Sequence, residues 1–297
     1  TQGLRRYKEL PIKYAEIGTD YRYERSGVLH GLFRARGFTQ DDAHIFCSLD
    51  QIEREVNDVI DLTTEFLKKF GFSEYEIFVS TKPNKYVGSD DEWASATNSL
   101  KKSLDNKSLK YSIDEGGGAF YGPKIDLKIK DVLGRSWQCS TVQVDFNLPK
   151  RFDLEYISSN NQRLQPVMIH RAIFGSFERF FGILIEHYGG AFPTWLAPHQ
   201  LKLLSVSDEQ VEYVNDIADN LRSAGLRVEV DIRNEKLGLK IREGEISKVP
   251  FIGIVCKNEL ENKTISLRKY GGKQIGEIKL DQLLGLINNE LSGRVDT

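Results

Sequence analysis

The sequence lacks the features that mark secreted and membrane proteins. Only three cysteines occur in 297 residues, and they lie far apart, at Cys47, Cys139 and Cys256. Such sparse cysteines indicate a reducing compartment rather than a disulfide framework. No apolar run is long enough to span a bilayer, and no basic-then-apolar leader opens the chain. We therefore expect neither a disulfide-bonded scaffold nor a membrane protein.

An excess of charge of one sign is also missing, because 41 Lys and Arg residues nearly balance 43 Asp and Glu residues, for a net charge of −2. Any nucleic-acid binding must then come from a local basic patch. Internal repeats and low-complexity segments are absent as well. The chain has no initiator methionine, and Thr1 to Lys8 read like the middle of a helix without a cap, so we expect a truncated chain.

The length and the 40% of hydrophobic residues are enough for two compact domains. The stretch 189–198 carries two prolines after a strong helix pattern, which predicts domains at 1–196 and 197–297. In the first domain, long strands with polar side chains and intervening helices predict a mixed α+β fold on a largely antiparallel sheet. We expect strands at 12–24, 37–47, 76–80, 124–129 and 135–146, and helices at 49–70 and 90–106.

The second domain has shorter elements in regular alternation, which predicts a small α/β sandwich. Its expected strands are 201–206, 226–232 and 250–256, followed by a hairpin of 264–268 with 276–280. Its expected helices are 208–224, 236–248 and 281–291.

The expected strand at 37–47 has the most informative pattern. Because strand side chains alternate between two faces, Phe38, Gln40, Asp42 and His44 all point the same way. Buried polar groups are costly unless something satisfies them, so such a face is typical of a ligand or metal site. The alternative is that this face is solvated and the opposite, apolar face is buried. On this strand alone the two interpretations are equally supported.

The preceding strand carries Arg22 and Glu24 on one face, and a loop at 25–36, rich in glycine and arginine, leads back to the strand at 37–47. A hairpin would set these two residues beside Phe38 and Gln40. That combination suits a nucleotide, with arginine for phosphates, a ring for the base and a carboxylate for an exocyclic amine. A surface ion pair between Arg22 and Glu24 is the alternative, and this segment alone favours it.

A helix is expected at 171–188, where apolar residues recur at helical spacing. A second stripe on this helix places Gly175 and Gly182 around Arg179. Glycine lowers helix stability, so two glycines on one face indicate that another group approaches closely. That group is either a strand backbone or a phosphate held by Arg179. His170 would lie at the mouth of this helix.

The glycine-rich loop at 114–124 matches neither a P-loop nor a dinucleotide fingerprint. It is either a flexible turn or a loop that holds Tyr121 and Lys124 against a substrate. Gln138 and Gln143 are further polar residues in a strand that is expected inside the sheet.

Among the five histidines, His44 and His170 have the settings most typical of metal ligands. Cys47 lies three residues beyond His44 on the same strand and faces the opposite way, so we do not expect it to be a ligand. The other histidines are expected on a loop, a helix surface and a linker, at His30, His187 and His199.

Together these segments resemble class II aminoacyl-tRNA synthetases, and specifically the threonyl-tRNA synthetase family. Segment 22–38 is similar to the second signature motif of the class, and segment 168–179 to the third. Segments 39–44 and 118–124 resemble stretches that are specific to the threonyl enzymes. The resemblance runs through nearly the whole chain and implies a class II antiparallel-sheet catalytic domain, lacking its N-terminal part, followed by an anticodon-binding domain.

The resemblance implies a threonine–tRNA ligase, which uses ATP with Mg²⁺ to form threonyl-adenylate and transfers threonine to tRNA(Thr). Arg22, Lys124 and Arg179 would be the catalytic residues. ATP would be bound by Arg22, Glu24, Arg34, Phe38, Gln138, Thr141 and Arg179.

The resemblance also implies a zinc ion bound by His44 and His170, with a third ligand, a cysteine, upstream of residue 1. Threonine would be bound by Gln40, Asp42, Tyr121 and Gln143. A site that demands a hydroxyl ligand excludes valine strongly, whereas serine would still be accepted.

In the second domain, the positions similar to those that face the anticodon bases are Asn234, Lys236, Arg242, Glu259 and Arg268. A solvated charged helix is the alternative, since this domain has no strong net charge.

The family's first signature motif, which forms its dimer interface, would lie upstream of residue 1. We therefore expect a fragment with an incomplete active site, and a homodimer for the full-length protein. The expected location is the cytoplasm, with an organelle matrix as the alternative. The rival function is a non-catalytic tRNA-binding or regulatory paralogue, although such a protein would gain nothing by keeping Arg22, Arg179, His44 and His170.

Overall fold

The structure is a computed structural model that describes residues 3–292. It divides into two compact units, the first ending at Glu186 and the second beginning at His187. None of the described helices has the length and apolarity that a bilayer crossing requires.

The first unit combines strands and helices along the chain. Its strands are β1 (Arg5–Arg6), β2 (Ile12–Tyr21), β3 (Gly37–Cys47), β4 (Glu76–Ser80), β5 (Ser112–Asp114), β6 (Lys124–Lys130), β7 (Ser136–Asp145), β8 (Tyr156–Ile157), β9 (Arg163–Leu164) and β10 (Val167–Ala172). Its helices are α1 (Ile52–Lys69), α2 (Asp90–Asn106), α3 (Asn147–Arg151) and α4 (Phe177–Tyr188), whose last two residues fall beyond the division.

Seven of these strands form one sheet in the order β2-β3-β10-β7-β6-β4-β5. Neighbouring strands are antiparallel except β4 and β5, which are parallel. The prediction of an α+β domain on a largely antiparallel sheet is therefore confirmed.

Helices α1 and α2 cover one face of this sheet, where α1 contacts β7 and β10, and α2 contacts β4 and β6. On α1 the buried residues Val56, Val59 and Ile60 follow helical spacing, and on β3 Ile45 and Cys47 are buried at strand spacing. Apolar side chains thus fill the face under the helices, which leaves the other face of the sheet for polar groups.

The helix predicted at 90–106 is confirmed as α2, and a local signal marks its start. Ser89 Oγ accepts a hydrogen bond from Glu92 N at 3.2 Å, and a Glu92 carboxylate oxygen accepts one from Ser89 N at 2.7 Å. This capping box satisfies two backbone donors that a helix start leaves unpaired. The helix begins at the next residue, Asp90.

The prediction of a helix over 171–188 was wrong in its first third. Arg171 belongs to β10, and α4 begins only at Phe177. Gly175 has a φ of +69°, a left-handed conformation that cannot lie in a helix. His170 therefore lies in a central strand rather than at the mouth of a helix.

The two glycines of the expected stripe have different neighbours. A Cβ on Gly175 would lie 2.5 Å from the carbonyl oxygen of Cys139 on β7, so close packing of a strand backbone explains this glycine. A Cβ on Gly182 would lie 3.3 Å from the Phe33 ring. Close packing therefore requires glycine at position 175, whereas position 182 is only in tight contact with a side chain.

The helical interpretation of the first eight residues was also wrong where the structure describes them. Residues 5–6 form β1, and Tyr7–Glu9 form a single 3-10 turn. Thr1 and Gln2 lie outside the described residues.

The second unit contains β11 (Leu201–Ser205), β12 (Val228–Asp231), β13 (Phe251–Val255), β14 (Ile265–Lys269) and β15 (Lys273–Ile278). Its helices are α5 (Val211–Ser223), α6 (Leu237–Ile246), α7 (Lys257–Asn262) and α8 (Leu280–Ser292). The strands form one sheet in the order β12-β11-β13-β14-β15, with β11 parallel to β12 and β13, and the other pairs antiparallel. The prediction of a small α/β unit is confirmed, and its sheet is mixed.

A buried lysine joins α6 to this second sheet. Lys240 is 1% exposed, and its ammonium donates to the carbonyl oxygens of Ser205 at 2.9 Å and Asp231 at 3.2 Å. The Asp231 carboxylate lies 3.9 Å from the same ammonium. A buried charge is tolerated only when it is paired and hydrogen-bonded, so α6 is fixed to the ends of β11 and β12.

A buried carboxylate closes the turn between β6 and β7 in the first unit. Asp131 accepts hydrogen bonds from the Trp137 indole at 2.8 Å, from Arg135 Nε at 2.6 Å, and from the amides of Leu133 and Arg135 at 2.9 Å. Burial works against the charged carboxylate, but these donors outweigh it and lower the pKa of Asp131 to about 2.

Replacement of Lys240 should destabilise the second unit. In Lys240→Met the acceptors of the ammonium lose their donor inside the protein, and we expect a loss of about 3 kcal/mol in the free energy of unfolding. The exposed Arg242 on the same helix provides the control, since Arg242→Met should cost less than about 0.5 kcal/mol. Urea unfolding measures the free energy of unfolding of both variants, and equal losses would contradict the stabilising role assigned to Lys240.

Replacement of Asp131 should have a pH-dependent cost. Since its folded pKa lies below the ordinary value of 3.8, its contribution is complete above about pH 4 and is lost as pH falls towards 2. Asp131→Asn should lose on the order of 2 kcal/mol at pH 7, and this deficit should narrow by pH 3. Urea unfolding at both pH values, with the exposed Asp58→Asn as control, measures it. A deficit that does not change with pH would refute this role.

Candidate active site

The polar face of the first sheet opens into a cavity of about 420 Å³. Strands β3, β6, β7 and β10 supply its floor, and segment 22–38 and α4 supply its walls. The cavity brings together most of the residues selected from the sequence: Arg22, Glu24, Arg34, Phe38, Gln40, Asp42, Tyr121, Lys124, Gln138, Thr141, Gln143, His170 and Arg179.

The two faces of β3 differ in burial and in what they contact. Gln40 and Asp42 are half-buried and line the cavity, while Cys47 on the opposite face is fully buried. Burial raises the pKa of the Cys47 thiol to about 12, which removes it as a ready metal ligand. The polar face of β3 therefore lines a cavity and is not part of the apolar core.

The sheet register sets four of the selected residues in one row across four strands. Lys124 on β6 is paired with Gln143 on β7, which is paired with His170 on β10, which is paired with His44 on β3. Residues directly opposite one another on neighbouring strands have their side chains on the same face. The Tyr121 hydroxyl donates to the amide oxygen of Gln143 and so joins this row.

The two histidines of the row are in contact, with ring centres 4.8 Å apart. Nε2 of His170 lies 2.9 Å from a carboxylate oxygen of the buried Asp145, which orients the ring. Burial lowers the pKa of His44, although Asp42 at 3.6 Å partly opposes the shift. This direction favours the neutral imidazole, which is the form that binds metals.

The histidine pair fits two of the ligands of a zinc ion, which takes imidazole nitrogen readily. Across residues 3–292, no three side chains of His, Cys, Asp or Glu gather closely enough to hold a metal ion. Any further ligand must then come from the substrate, from water or from outside this part of the chain.

A buried carboxylate, Asp126, organises the end of the cavity near β6 and β7. It is 2% exposed and accepts from Lys124 Nζ at 2.5 Å, Gln138 Nε2 at 2.7 Å and Thr141 Oγ1 at 2.9 Å. All three donors were selected from the sequence, but Asp126 was not. Its position on the polar face of β6, two residues after Lys124, was the available signal.

The hairpin between β2 and β3 places a cation and a ring side by side. The Arg22 guanidinium lies 5.0 Å from the centre of the Phe38 ring, and Arg22 N donates to Arg36 O at 2.8 Å. The expected surface ion pair between Arg22 and Glu24 is replaced by two others. Arg22 lies 3.7 Å from Asp20, and Glu24 accepts from Arg34 at 3.1 Å.

Arg179 lies on the opposite wall, in the first turn of α4. Its Nε donates to the carbonyl oxygen of Phe33 and its Nη1 to that of Gln138, each at 2.8 Å. The guanidinium also lies 5.5 Å from the Trp137 ring centre. Two backbone acceptors and a ring therefore fix a cation in the cavity wall, with its charge retained because arginine does not deprotonate in proteins.

The remaining three histidines have other neighbours. His30 lies on the loop before β3 and stacks on Phe33 at 5.6 Å, and His187 lies in the last turn of α4. His199 precedes β11 and lies 3.3 Å from Glu229.

Of the five residues predicted to face the anticodon, four lie on or near α6 and one lies in the cap of α7. Asn234, Lys236 and Arg242 are exposed around the start of α6. Arg268 on β14 lies 3.5 Å from Glu245 on the same helix, so it faces α6. The Glu259 carboxylate instead accepts from Cys256 N at 2.9 Å, in the capping box of α7.

Family models match both units. The model described as the tRNA synthetase class II core domain (G, H, P, S and T) matches residues 1–188. The model described as an anticodon binding domain matches residues 200–290.

Curated relatives match almost the whole chain. A protein named threonine–tRNA ligase, chloroplastic/mitochondrial 2, from Arabidopsis thaliana is 55% identical over 95% of this chain and 43% of its own length. A threonine–tRNA ligase from a Sulfurihydrogenibium species is 52% identical over 98% of this chain and 45% of its own length. The chain thus spans less than half the length of these relatives.

A solved structure shows the same architecture. The RNA binding domain of threonyl-tRNA synthetase from Cryptosporidium parvum superposes with a TM-score of 0.91 at 38% identity, over 96% of this chain and 72% of that chain. The chain belongs to the threonyl-tRNA synthetase family of class II aminoacyl-tRNA synthetases.

Proposed function

We propose that the protein is a threonine–tRNA ligase, which joins threonine to ATP as threonyl-adenylate and transfers the threonine to tRNA(Thr). The observation that carries the proposal is the order of side chains along β3. Phe38 lies beside the arginine of the hairpin at one end, and His44 lies against His170 at the other, with Gln40 and Asp42 between them. A nucleotide site and an amino-acid site can therefore share one cavity.

At the nucleotide end, we assign the Phe38 ring to stacking on adenine and Glu24 to the exocyclic amine. Arg22, next to the Phe38 ring, is assigned to the α-phosphate. Arg34 and Arg179, from two different walls of the cavity, are assigned to the β- and γ-phosphates. Magnesium accompanies the ATP. Arginine suits these roles because its planar group donates several hydrogen bonds to phosphate.

The reaction assigned to this end is an in-line displacement. The threonine carboxylate attacks the α-phosphorus, the bond to the bridging oxygen breaks, and pyrophosphate leaves. Arg22 stabilises the charge that develops on the α-phosphate, and Arg179 stabilises the leaving pyrophosphate. One buried carboxylate holds three side chains that we assign to the neighbourhood of the phosphate: Lys124, Gln138 and Thr141. Their assigned role is to position the reacting groups rather than to transfer protons.

At the amino-acid end, Gln40, Tyr121 and Gln143 border the threonine amine, and Asp42 accepts a hydrogen bond from the threonine hydroxyl. His44 and His170 would hold zinc, which when bound supplies a Lewis acid that takes the amine and the hydroxyl as ligands. Such a site rejects valine, which lacks the hydroxyl, and accepts serine, which keeps it.

The second unit is proposed to bind the tRNA anticodon through Asn234, Lys236, Arg242, Glu259 and Arg268. The exposure of the first three around the start of α6 supports this role, although a solvated charged surface has the same appearance. The engagement of Glu259 in the cap of α7 means that it would have to exchange one partner for another on binding a base.

We further propose a homodimer as the working assembly, a boundary between catalytic and anticodon-binding domains at residues 196 and 197, and a cytoplasmic location with an organelle matrix as the alternative. The name of the Arabidopsis thaliana relative places that protein in organelles, and this supports the alternative of an organelle matrix. The rival function is a tRNA-binding paralogue without catalysis.

The catalytic proposal predicts threonine-dependent ATP–pyrophosphate exchange by the product of the native gene. Arg22→Ala or Arg179→Ala should each lower this exchange about 100-fold or more, because each removes a cation from the transition-state phosphates. Arg54→Ala, an exposed arginine on α1, is the matched control and should leave the rate unchanged. If the wild-type protein binds tRNA(Thr) but catalyses no exchange, the rival function, a tRNA-binding paralogue without catalysis, is correct.

The metal proposal predicts stoichiometric zinc in the same protein. A variant with both His44→Ala and His170→Ala should retain less than about a tenth of it, since two ligands are lost. His199→Ala, a histidine of the second unit, should retain all of it. Atomic absorption of dialysed protein gives the metal content, and an unchanged zinc content in the double variant would refute the assignment.

A further inference from the structure

Asp41 lies on β3 between two residues that line the cavity, Gln40 and Asp42, but its side chain points to the opposite face. The residue is 8% exposed. No role follows from the cavity for a carboxylate in this position, and an ionised carboxylate is costly to bury unless donors surround it. The hydrogen-bond donors around the Asp41 carboxylate indicate its role.

Four donors converge on this carboxylate. One oxygen accepts from Ile173 N at 2.7 Å and from the Arg171 guanidinium at 3.3 Å. The other accepts from Phe174 N at 3.0 Å and Gly175 N at 3.1 Å. Three consecutive amides of the turn between β10 and α4, residues 173–176, are therefore satisfied by one side chain more than 130 positions away in sequence.

This turn is pressed against β7 on its other side. The Ser140 hydroxyl donates to the carbonyl oxygen of Ile173, and Gly175 approaches the Cys139 carbonyl too closely for any side chain. Phe174 packs on Phe180 with ring centres 4.6 Å apart. The turn has little freedom to move while the Asp41 carboxylate holds its amides.

A second acid ties the start of α4 to the same strand. Both carboxylate oxygens of Glu178 lie 2.9 Å from Thr39 N, and the Ser176 hydroxyl donates to one of them at 3.0 Å. Ser176 Oγ in turn accepts from Arg179 N at 3.2 Å. The backbone of Arg179 is thus linked to β3 through two side chains.

These contacts matter because Arg179 is the third residue of α4. The direction of its side chain is set by where the helix begins, and the beginning is set by the turn. A displacement of about 1 Å at the turn would carry the guanidinium away from its acceptors on Phe33 and Gln138.

We propose that Asp41 is a positioning residue for nucleotide phosphates, acting through Arg179, with Glu178 as its second support. The inference rests on the proposed function, in which Arg179 binds the phosphates of ATP. Asp41 itself touches no substrate. β3 therefore contributes to ATP binding from both faces, with Phe38 on the cavity side and Asp41 behind it.

The proposal is tested by direct binding of ATP to the full chain in the absence of threonine, by calorimetry. Asp41→Asn keeps the shape of the side chain but removes its charge, and should lower ATP affinity about tenfold. Arg179→Ala should lower it about 100-fold. If Asp41 acts through Arg179, the double variant should be within about twofold of Arg179→Ala alone.

A general loss of stability is separated from positioning by a matched control. Glu55 on α1 is another buried acid of the first unit: it is 1% exposed, and its carboxylate lies 2.6 Å from the ammonium of Lys13 on β2 rather than against the turn. Glu55→Gln should leave ATP affinity unchanged. At the second support, Glu178→Gln keeps an acceptor for Thr39 N and should bind ATP within about threefold of wild type, whereas Glu178→Ala should lose about tenfold.

The outcomes distinguish this inference from the proposed function. Wild-type ATP affinity in Asp41→Asn, or losses that multiply to about 1,000-fold in the double variant, would overturn the positioning role even if exchange is intact. If the losses of ATP affinity are non-additive but the protein catalyses no threonine-dependent exchange, the positioning role is supported and the ligase proposal is overturned. A wild-type chain that binds no ATP would overturn both.

Discussion

The arrangement of the first unit depends on one buried interaction, the Asp41 carboxylate with the three amides of residues 173–175. A carboxylate without partners in that position would be strongly destabilising, and amides without partners at the end of a strand would be too. Each group satisfies the other, and the pairing fixes where β10 ends and α4 begins. The wall of the cavity that carries Arg179 follows from that point.

The same strand organises the cavity through the period of two. Its inward side chains, such as Ile45, join the core under α1, and on the other face Gln40 and Asp42 line the cavity while His44 contacts His170, which also lines it. Antiparallel register then extends the row to His170 and beyond. Chemistry and stability are thus divided between the two faces of one strand, so a shift of register by one residue would destroy both.

Much of this was predictable from the sequence, wherever the signal is local. The strand β3 follows from the alternation of its side chains, and the start of α2 follows from the capping box at Ser89. The start of α4 was not predictable in this way, because the apolar spacing of residues 173–180 suits a helix and the side chain that prevents it, Asp41, lies on a distant strand. Asp126 was missed for a related reason: two of its three partners, Gln138 and Thr141, lie on the neighbouring strand, and only the sheet brings them to it.

Amide hydrogen exchange at residues 173–175 tests the central claim most directly, because it observes the hydrogen bonds themselves rather than any activity. In the wild-type protein these three amides should be protected to the same degree as the neighbouring amides of β10. In Asp41→Asn they should exchange at least about tenfold faster, while the amides of β10 that pair with β7 remain protected. Unchanged exchange at all three amides in Asp41→Asn would show that the turn is held by other contacts and would contradict the account.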